Sequence, residues 1–170
     1  EIPKHLLNSM NLNPPIANFS TGYDTLLTKA VENQNKNQVN MLLKYGADPN
    51  VGNINSQTPL SIASCRGSMN IVKLLLKYGA NPNKKDIEGM TPMHIIFECE
   101  QMGRTKRSYD VLKLLLDSGG KPSIKDKSGY TVLYYAYLVD APAKIKNLLM
   151  NTLYNIQQRN RSCHTAASAA

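Results

Sequence analysis

A spacing of 33 residues constrains this chain more than any other feature. Gly46 and Gly79 are 33 apart, as are Pro49 and Pro82, and Thr25, Thr58 and Thr91 are evenly stepped at the same interval. From Thr91 to Thr131 the step is 40, and Gly79–Gly119, Pro82–Pro122 and Gly89–Gly129 repeat that value. One copy therefore carries seven extra residues. A fixed period in this range describes a stacked array, in which one supersecondary unit recurs and each copy buries its apolar face only against its neighbours.

Within a copy, the clearest stretch is Thr58 to Asp86. A threonine precedes Pro59, a short apolar segment follows, and Gly67 interrupts it. A second apolar segment runs from Ile71 to Leu76 and stops at Gly79. Thr58 is placed to cap a helix, Pro59 to fill its first turn, and Gly79 to end the second helix in the left-handed region. The unit reads as helix, turn, helix, loop.

Thr58-Pro59-Leu60-Ser61-Ile62-Ala63 and Thr91-Pro92-Met93-His94-Ile95-Ile96 resemble the opening motif of the ankyrin repeat family. The closing runs Leu42 to Asn50 and Leu74 to Asn83 resemble its second helix and loop. The resemblance covers about Ser20 to Met150. It implies an all-α solenoid of four helix-turn-helix repeats with finger loops. The boundaries read as an N-terminal extension or cap at 1–19, repeats at 20–52, 53–85 and 86–125, a degenerate capping repeat at 126–152, and a tail at 153–170. Pro3 to Met10 is expected to form a turn or two of helix; residues 153 to 170 are expected to extend a helix briefly and then become a polar, Ala-rich tail, with His164 to Ala170 unstructured. The extra residues fall between Ile96 and Val111, with Arg104 to Arg107 in an exposed turn.

An apolar share of 42% supplies a core, and no apolar run approaches the length of a membrane span. The sequence shows no secretory leader and starts at Glu1, as an excised segment would. Cysteines at 65, 99 and 163 form an odd, scattered set. That argues against a disulfide framework and for a reducing compartment, cytoplasmic or nuclear. Cys65 and Cys99 are expected as packing or surface residues, with a reactive thiol as the alternative. No phosphate-binding glycine loop, metal-ligand spacing or nucleophile–base order is present, so neither an enzyme nor a cofactor is expected. The resemblance makes His94 a structural histidine bonding between repeats.

The same resemblance implies function. Members bind protein partners through the finger tips and the exposed face of each first helix. By register these positions are Asp24, Glu32 and Asn33; Asn55, Gln57, Cys65 and Arg66; Glu88, Met90, Glu98 and Cys99; and Lys127, Ser128, Tyr130 and Leu138. The expected role is a scaffold or adaptor module, monomeric, that grips another protein or a peptide. Asp24, Glu32, Glu88 and Glu98 are expected to line one surface, although the chain carries a net charge of +8, so the expected partner is basic. Met90, Tyr130 and Leu138 are the expected apolar anchors. Two other readings stay open: nucleic-acid contact through Lys84-Lys85, Lys121-Lys125-Lys127 and the 103–107 loop, or a structural spacer in a larger protein. The split of basic residues among regions, without interleaved aromatics, disfavours nucleic acid.

Asn50 and Asn83 each close a Gly-Ala-Asp/Asn-Pro-Asn loop, eight residues after Leu42 and Leu75. This resembles the pattern met by the asparaginyl hydroxylase that modifies ankyrin repeats; the alternative is that both bond their own turns. Ser108, after a basic run, is a candidate for phosphorylation that would place negative charge beside Arg107.

Overall fold

The computed structural model describes residues 16–18, 22–101 and 108–167, with side chains from 25 to 99 and from 108 to 161. Among the described residues, eight helices follow a short hairpin. Strands β1 (Ile16–Asn18) and β2 (Gly22–Asp24) pair antiparallel, with Ile16 opposite Asp24. The helices are α1 (Leu26–Glu32), α2 (Lys36–Lys44), α3 (Pro59–Cys65), α4 (Met69–Lys77), α5 (Pro92–Gln101), α6 (Ser108–Asp117), α7 (Val132–Leu138) and α8 (Ala143–Ala167). They pair as four hairpins. The odd-numbered helices stack as an inner row, α1 on α3 on α5 on α7, and the even-numbered ones as an outer row.

The helix boundaries follow from local chemistry. Thr25 and Thr28 form a reciprocal capping box at the start of α1. The Thr58 hydroxyl accepts the Ser61 N–H at 3.2 Å, and Pro59 occupies the first turn of α3. Thr131 caps α7 without a side-chain bond; the Tyr134 N–H donates to the Thr131 carbonyl at 3.0 Å. The outer helices end alike. At Gly46, Gly79 and Gly119 φ is 92°, 85° and 86°, and the N–H two positions past the cap returns to the carbonyls of Leu42, Leu75 and Leu115. A glycine adopts that left-handed conformation without the Cβ clash an L-residue meets. In the inner turns Gly67 does the same at φ 62°, while Gln34 and Asp140 take φ 53° and 48° in its place.

One continuous core runs the length of the stack. Leu27, Leu60, Leu75, Met93, Ile96, Phe97, Leu112, Leu115 and Leu149 are fully buried. Each contributes about 1.5–3 kcal/mol through burial against a neighbouring repeat. The inserted residues lengthen α5 to ten residues, against seven for α1, α3 and α7. Residues 102–107, where the basic turn is expected, lie outside the described residues, as do Pro3 to Met10.

Three features depart from the sequence reading. The β1–β2 hairpin precedes the first helix, where no strand is expected because the stretch after Pro15 alternates too briefly to be recognised as one. Helix α8 continues past 152 much further than the brief extension expected and runs to Ala167, so the segment from His164 is helical through Ala167. The third departure is covalent: Cys65 and Cys99 form a disulfide. A separation of 34 is one residue more than the repeat period. It sets the end of α3 beside the end of α5, with the two Cα atoms 5.5 Å apart, inside the range a disulfide spans. The pairing overturns the expectation of unpaired thiols and removes cysteine usage as an argument for a reducing compartment.

Candidate functional site

Stacking the inner helices leaves a concavity of 680 Å³ along α1, α3 and α5. Its lining is Glu32, Gln34, Gln57, Ser61, Ile62, Cys65, Arg66, Ile95, Glu98 and Cys99. The Cys65–Cys99 bridge ties two of its supporting helices together. Of the residues expected from register, Glu32, Gln57, Arg66 and Glu98 meet here, together with both cysteines.

The two carboxylates in the concavity differ. Glu32 is half-buried and pairs with Lys29 at 3.0 Å, one helical turn away. Glu98 is also half-buried, but has no ion-pair partner among the described residues. Burial first, and then the Asp86 charge, push its carboxyl above the ordinary carboxylate value. A cation brought to Glu98 would relieve both effects.

Other expected residues lie elsewhere. Asn55, Glu88 and Lys127 are exposed on the fingers, where the backbone steps from one finger to the next: Ile87 N–H donates to the Asn55 carbonyl at 3.0 Å and Lys127 N–H to the Glu88 carbonyl at 2.9 Å. Asn33 is exposed at the end of α1. The Asp24 side chain lies outside those described. Of the expected row of four acids, Glu32 and Glu98 meet in the concavity and Glu88 stands on a finger rather than on an inner helix; the fourth, Asp24, is outside the described side chains.

Met90 is a correction. It is 6% exposed and packs with Ile95 and Cys99, against Cys65 and Tyr135, so it supports the groove wall from behind. Ser108 is another: the residue is 7% exposed at the start of α6, where a phosphate would lose hydration. Lys85, one of the expected basic contacts, donates to the Lys125 carbonyl at 2.8 Å.

Asn50 and Asn83 do not bond only their own turns. The Asn50 amide donates to the Gly79 carbonyl at 3.1 Å and its oxygen accepts the Asn81 N–H at 2.7 Å. Asn83 repeats this one copy later, donating to Gly119 at 3.0 Å and accepting from Lys121 at 2.7 Å. Each amide thus fastens its loop to the next one.

His94 is completely buried, and its Nδ1 accepts the Thr91 N–H at 3.2 Å. That leaves Nε2 to donate to the Tyr130 carbonyl at 3.3 Å, joining the third repeat to the fourth. Burial holds its pKa below the ordinary histidine value; the Tyr130 carbonyl, Asp126 and Asp86 oppose this, and Lys85 assists it. Beside it, the Tyr135 hydroxyl donates to Asp126 at 2.6 Å, and Asp126 also accepts the Tyr130 N–H at 2.9 Å. Burial alone would raise the Asp126 carboxyl; the Tyr135 and Tyr130 hydrogen bonds and the His94 ring outweigh it and keep the carboxyl below its usual value. Burial and the Asp126 contact push the Tyr135 phenol upward. These groups lock a repeat junction.

Toward α7 the surface becomes aromatic. Tyr130 and Tyr134 are each 42% exposed and stack at 3.9 Å between ring centroids, nearly parallel. Tyr134 meets Tyr135 edge-on at 5.8 Å, and Leu138 is 54% exposed. Tyr134 was not among the expected residues, because it reads as a replacement for the motif histidine. The run Tyr134-Tyr135-Ala136-Tyr137 was the available signal: three tyrosines on one short helix exceed what its buried face can take. Gln34, Ser61, Ile62 and Ile95 were also missed, although each lies within a turn of an expected position.

Among the described residues no group of three or more His, Cys, Asp or Glu is placed to hold a metal ion, and no helix is long and apolar enough to cross a membrane. Among curated proteins, none matches the chain. A protein-family match, described as Ankyrin repeats (3 copies), spans residues 27–126. That is more than half of the chain, and it covers the three hairpins from α1 to α6 whose caps, glycine stops and stacked inner row are set out above. The chain belongs to the ankyrin repeat family.

Proposed function

We propose that this protein is a binding module that holds an extended, basic segment of a partner protein along its inner helices. The single observation that carries the reading is the 680 Å³ concavity with the half-buried Glu98 on its wall. Ankyrin repeats are generally protein-interaction modules; the basic character of the partner is inferred here from that carboxylate. Charge sets the orientation and specificity of the segment, since exposed ion pairs contribute only about 0.2–1 kcal/mol each. Tyr130, Tyr134 and Leu138 supply apolar area for the remainder.

Selection of peptides from a random displayed library against the whole chain tests this. Binders are expected to be rich in Lys and Arg, and to lose affinity at least tenfold for the Glu32→Lys, Glu98→Lys double variant. Glu88→Lys, on a finger, is expected to change little. Binders indifferent to the double variant, but abolished by deleting Met102 to Arg107, would move the contact to the insertion and overturn the proposal.

A further inference from the structure

The fourth repeat replaces the inner-row chemistry of the others. Counting from each capping threonine, the position just before the cap is Gln57, Met90 and Tyr130 in successive repeats, and the position three after it is Thr28, Ser61, His94 and Tyr134. A half-buried glutamine and several enclosed residues thus give way to two exposed tyrosines, stacked on each other at 3.9 Å. Seven residues after the cap, the positions read Glu32, Cys65, Glu98 and Leu138, so Glu98 stands on the helix adjoining the tyrosines. Tyr135 stands between them: it packs against the cluster of Met90, Ile95 and Cys99, its phenol feels the Glu98 charge, and it meets Tyr134 in a T-shaped contact. Asp86 and Asp126 add negative charge behind this wall, Asp86 acting on Glu98 and Asp126 on His94 and Tyr135.

The chain already shows how its tyrosines are used elsewhere. Lys144 Nζ lies 3.8 Å above the centre of the Tyr109 ring, and Lys146 Nζ lies 5.0 Å from that of Tyr137. Among the described residues no cation covers Tyr130 or Tyr134.

We infer that the Tyr130–Tyr134 pair and Glu98 form a subsite for one arginine side chain of the bound segment. The guanidinium lies flat on the outer face of the stacked pair while its N–H edge reaches the Glu98 carboxylate. Arginine fits better than lysine because its charge is planar and delocalised, so it stacks on an aromatic face and presents paired donors at its edge. Lysine, which over Tyr137 reaches a ring and the Asp140 carboxylate at once, offers only a compact, strongly hydrated point charge, with less contact on a flat surface and no planar pair of donors. The elevated Glu98 carboxyl agrees with an acid awaiting a cation.

This inference rests on the groove reading, and its test is separable from it. The probe is the blocked tripeptide acetyl-Gly-Arg-Gly-amide, with the citrulline and lysine tripeptides as controls, titrated into the whole chain. Ring carbon–proton NMR signals of Tyr130 and Tyr134 are followed. The arginine peptide is expected to shift both signals saturably, and the neutral citrulline peptide to bind severalfold more weakly. Glu98→Gln is expected to weaken arginine binding about two- to fivefold, the size of an exposed ion pair, and to leave citrulline unchanged. Tyr134→Phe is expected to retain binding and Tyr134→Ala to lose it. Equal affinity for citrulline or lysine, or arginine binding unaffected by Glu98→Gln, would overturn the subsite. So would the absence of any saturable shift. If selected peptides still depend on Glu32 and Glu98 in that event, the groove reading stands without the arginine subsite.

Discussion

Reducing the Cys65–Cys99 bridge perturbs a single junction between repeats. The bridge closes a loop with a sequence separation of 34, which contains all of α4 and the finger carrying Ile87 and Glu88. In the chain-entropy treatment, a loop of this length restrains the unfolded chain by about 3.8 kcal/mol at 25 °C. With a urea dependence of about 2 kcal/mol per molar for a domain of this size, the unfolding midpoint should fall by roughly 2 M on reduction. The assay is urea unfolding followed by circular dichroism, with and without a dithiol reductant, in a Cys163→Ala background to exclude exchange. A Cys65→Ala, Cys99→Ala variant should unfold near the reduced protein and ignore the reductant. Alanine is preferred to serine because Cys99 is only 5% exposed, and a hydroxyl there would be buried beside Met90 and Ile95. Coincident curves for oxidised and reduced protein would refute the reasoning. They would mean that residual structure in the unfolded chain already restrains the loop as fully as the bridge does.

Asn83→Ala removes two bonds between loops and should lower stability by about 1–3 kcal/mol in urea unfolding, with Asn50→Ala acting similarly one repeat earlier. Tyr135→Phe takes a hydroxyl from the buried Asp126 carboxylate and should cost about 1.5–3 kcal/mol, measured as a lower midpoint at constant slope. His94 is held below its ordinary value, so the unfolded chain takes up the proton first as pH falls. Its contribution is complete above about pH 6.5 and is lost as pH falls through the folded value. Unfolding free energy measured between pH 8 and pH 5 should therefore decline below about 6.5, and this part of the decline should vanish in His94→Gln. Asp126 adds a separate loss at lower pH, because its depressed carboxyl stabilises the fold above the ordinary aspartate value and ceases to do so as it protonates.

Most of the fold could be read from the chain because its determinants are local and repeated. Thr58, Pro59 and Gly79 each mark a backbone event that depends on near neighbours, and their recurrence at one period implies stacking. The groove was legible where register alone places a side chain, as with Glu32, Gln57, Arg66 and Glu98. It was not legible where placement depends on distances between repeats. The Cys65–Cys99 bridge needs the separation of α3 from α5, which no spacing rule supplies. Met90 occupies the position of Gln57 and Tyr130, yet packs inward because Ile95, Cys99 and Tyr135 leave it an apolar recess. The asparagines looked local because their own backbone N–H groups do bond within the turn, while the side chains cross to the next loop. The β1–β2 hairpin and the length of α8 lie outside the repeat, where the period has nothing to say.

Site-specific photo-cross-linking tests the central claim most directly. A photoreactive amino acid is placed at Arg66 on the concave wall or at Lys73 on the exposed face of outer helix α4, and each protein is irradiated with a basic peptide from the selection. The account predicts a cross-link from position 66 and none from position 73. A cross-link from position 73 without one from position 66 would place the partner on the outer row and contradict it.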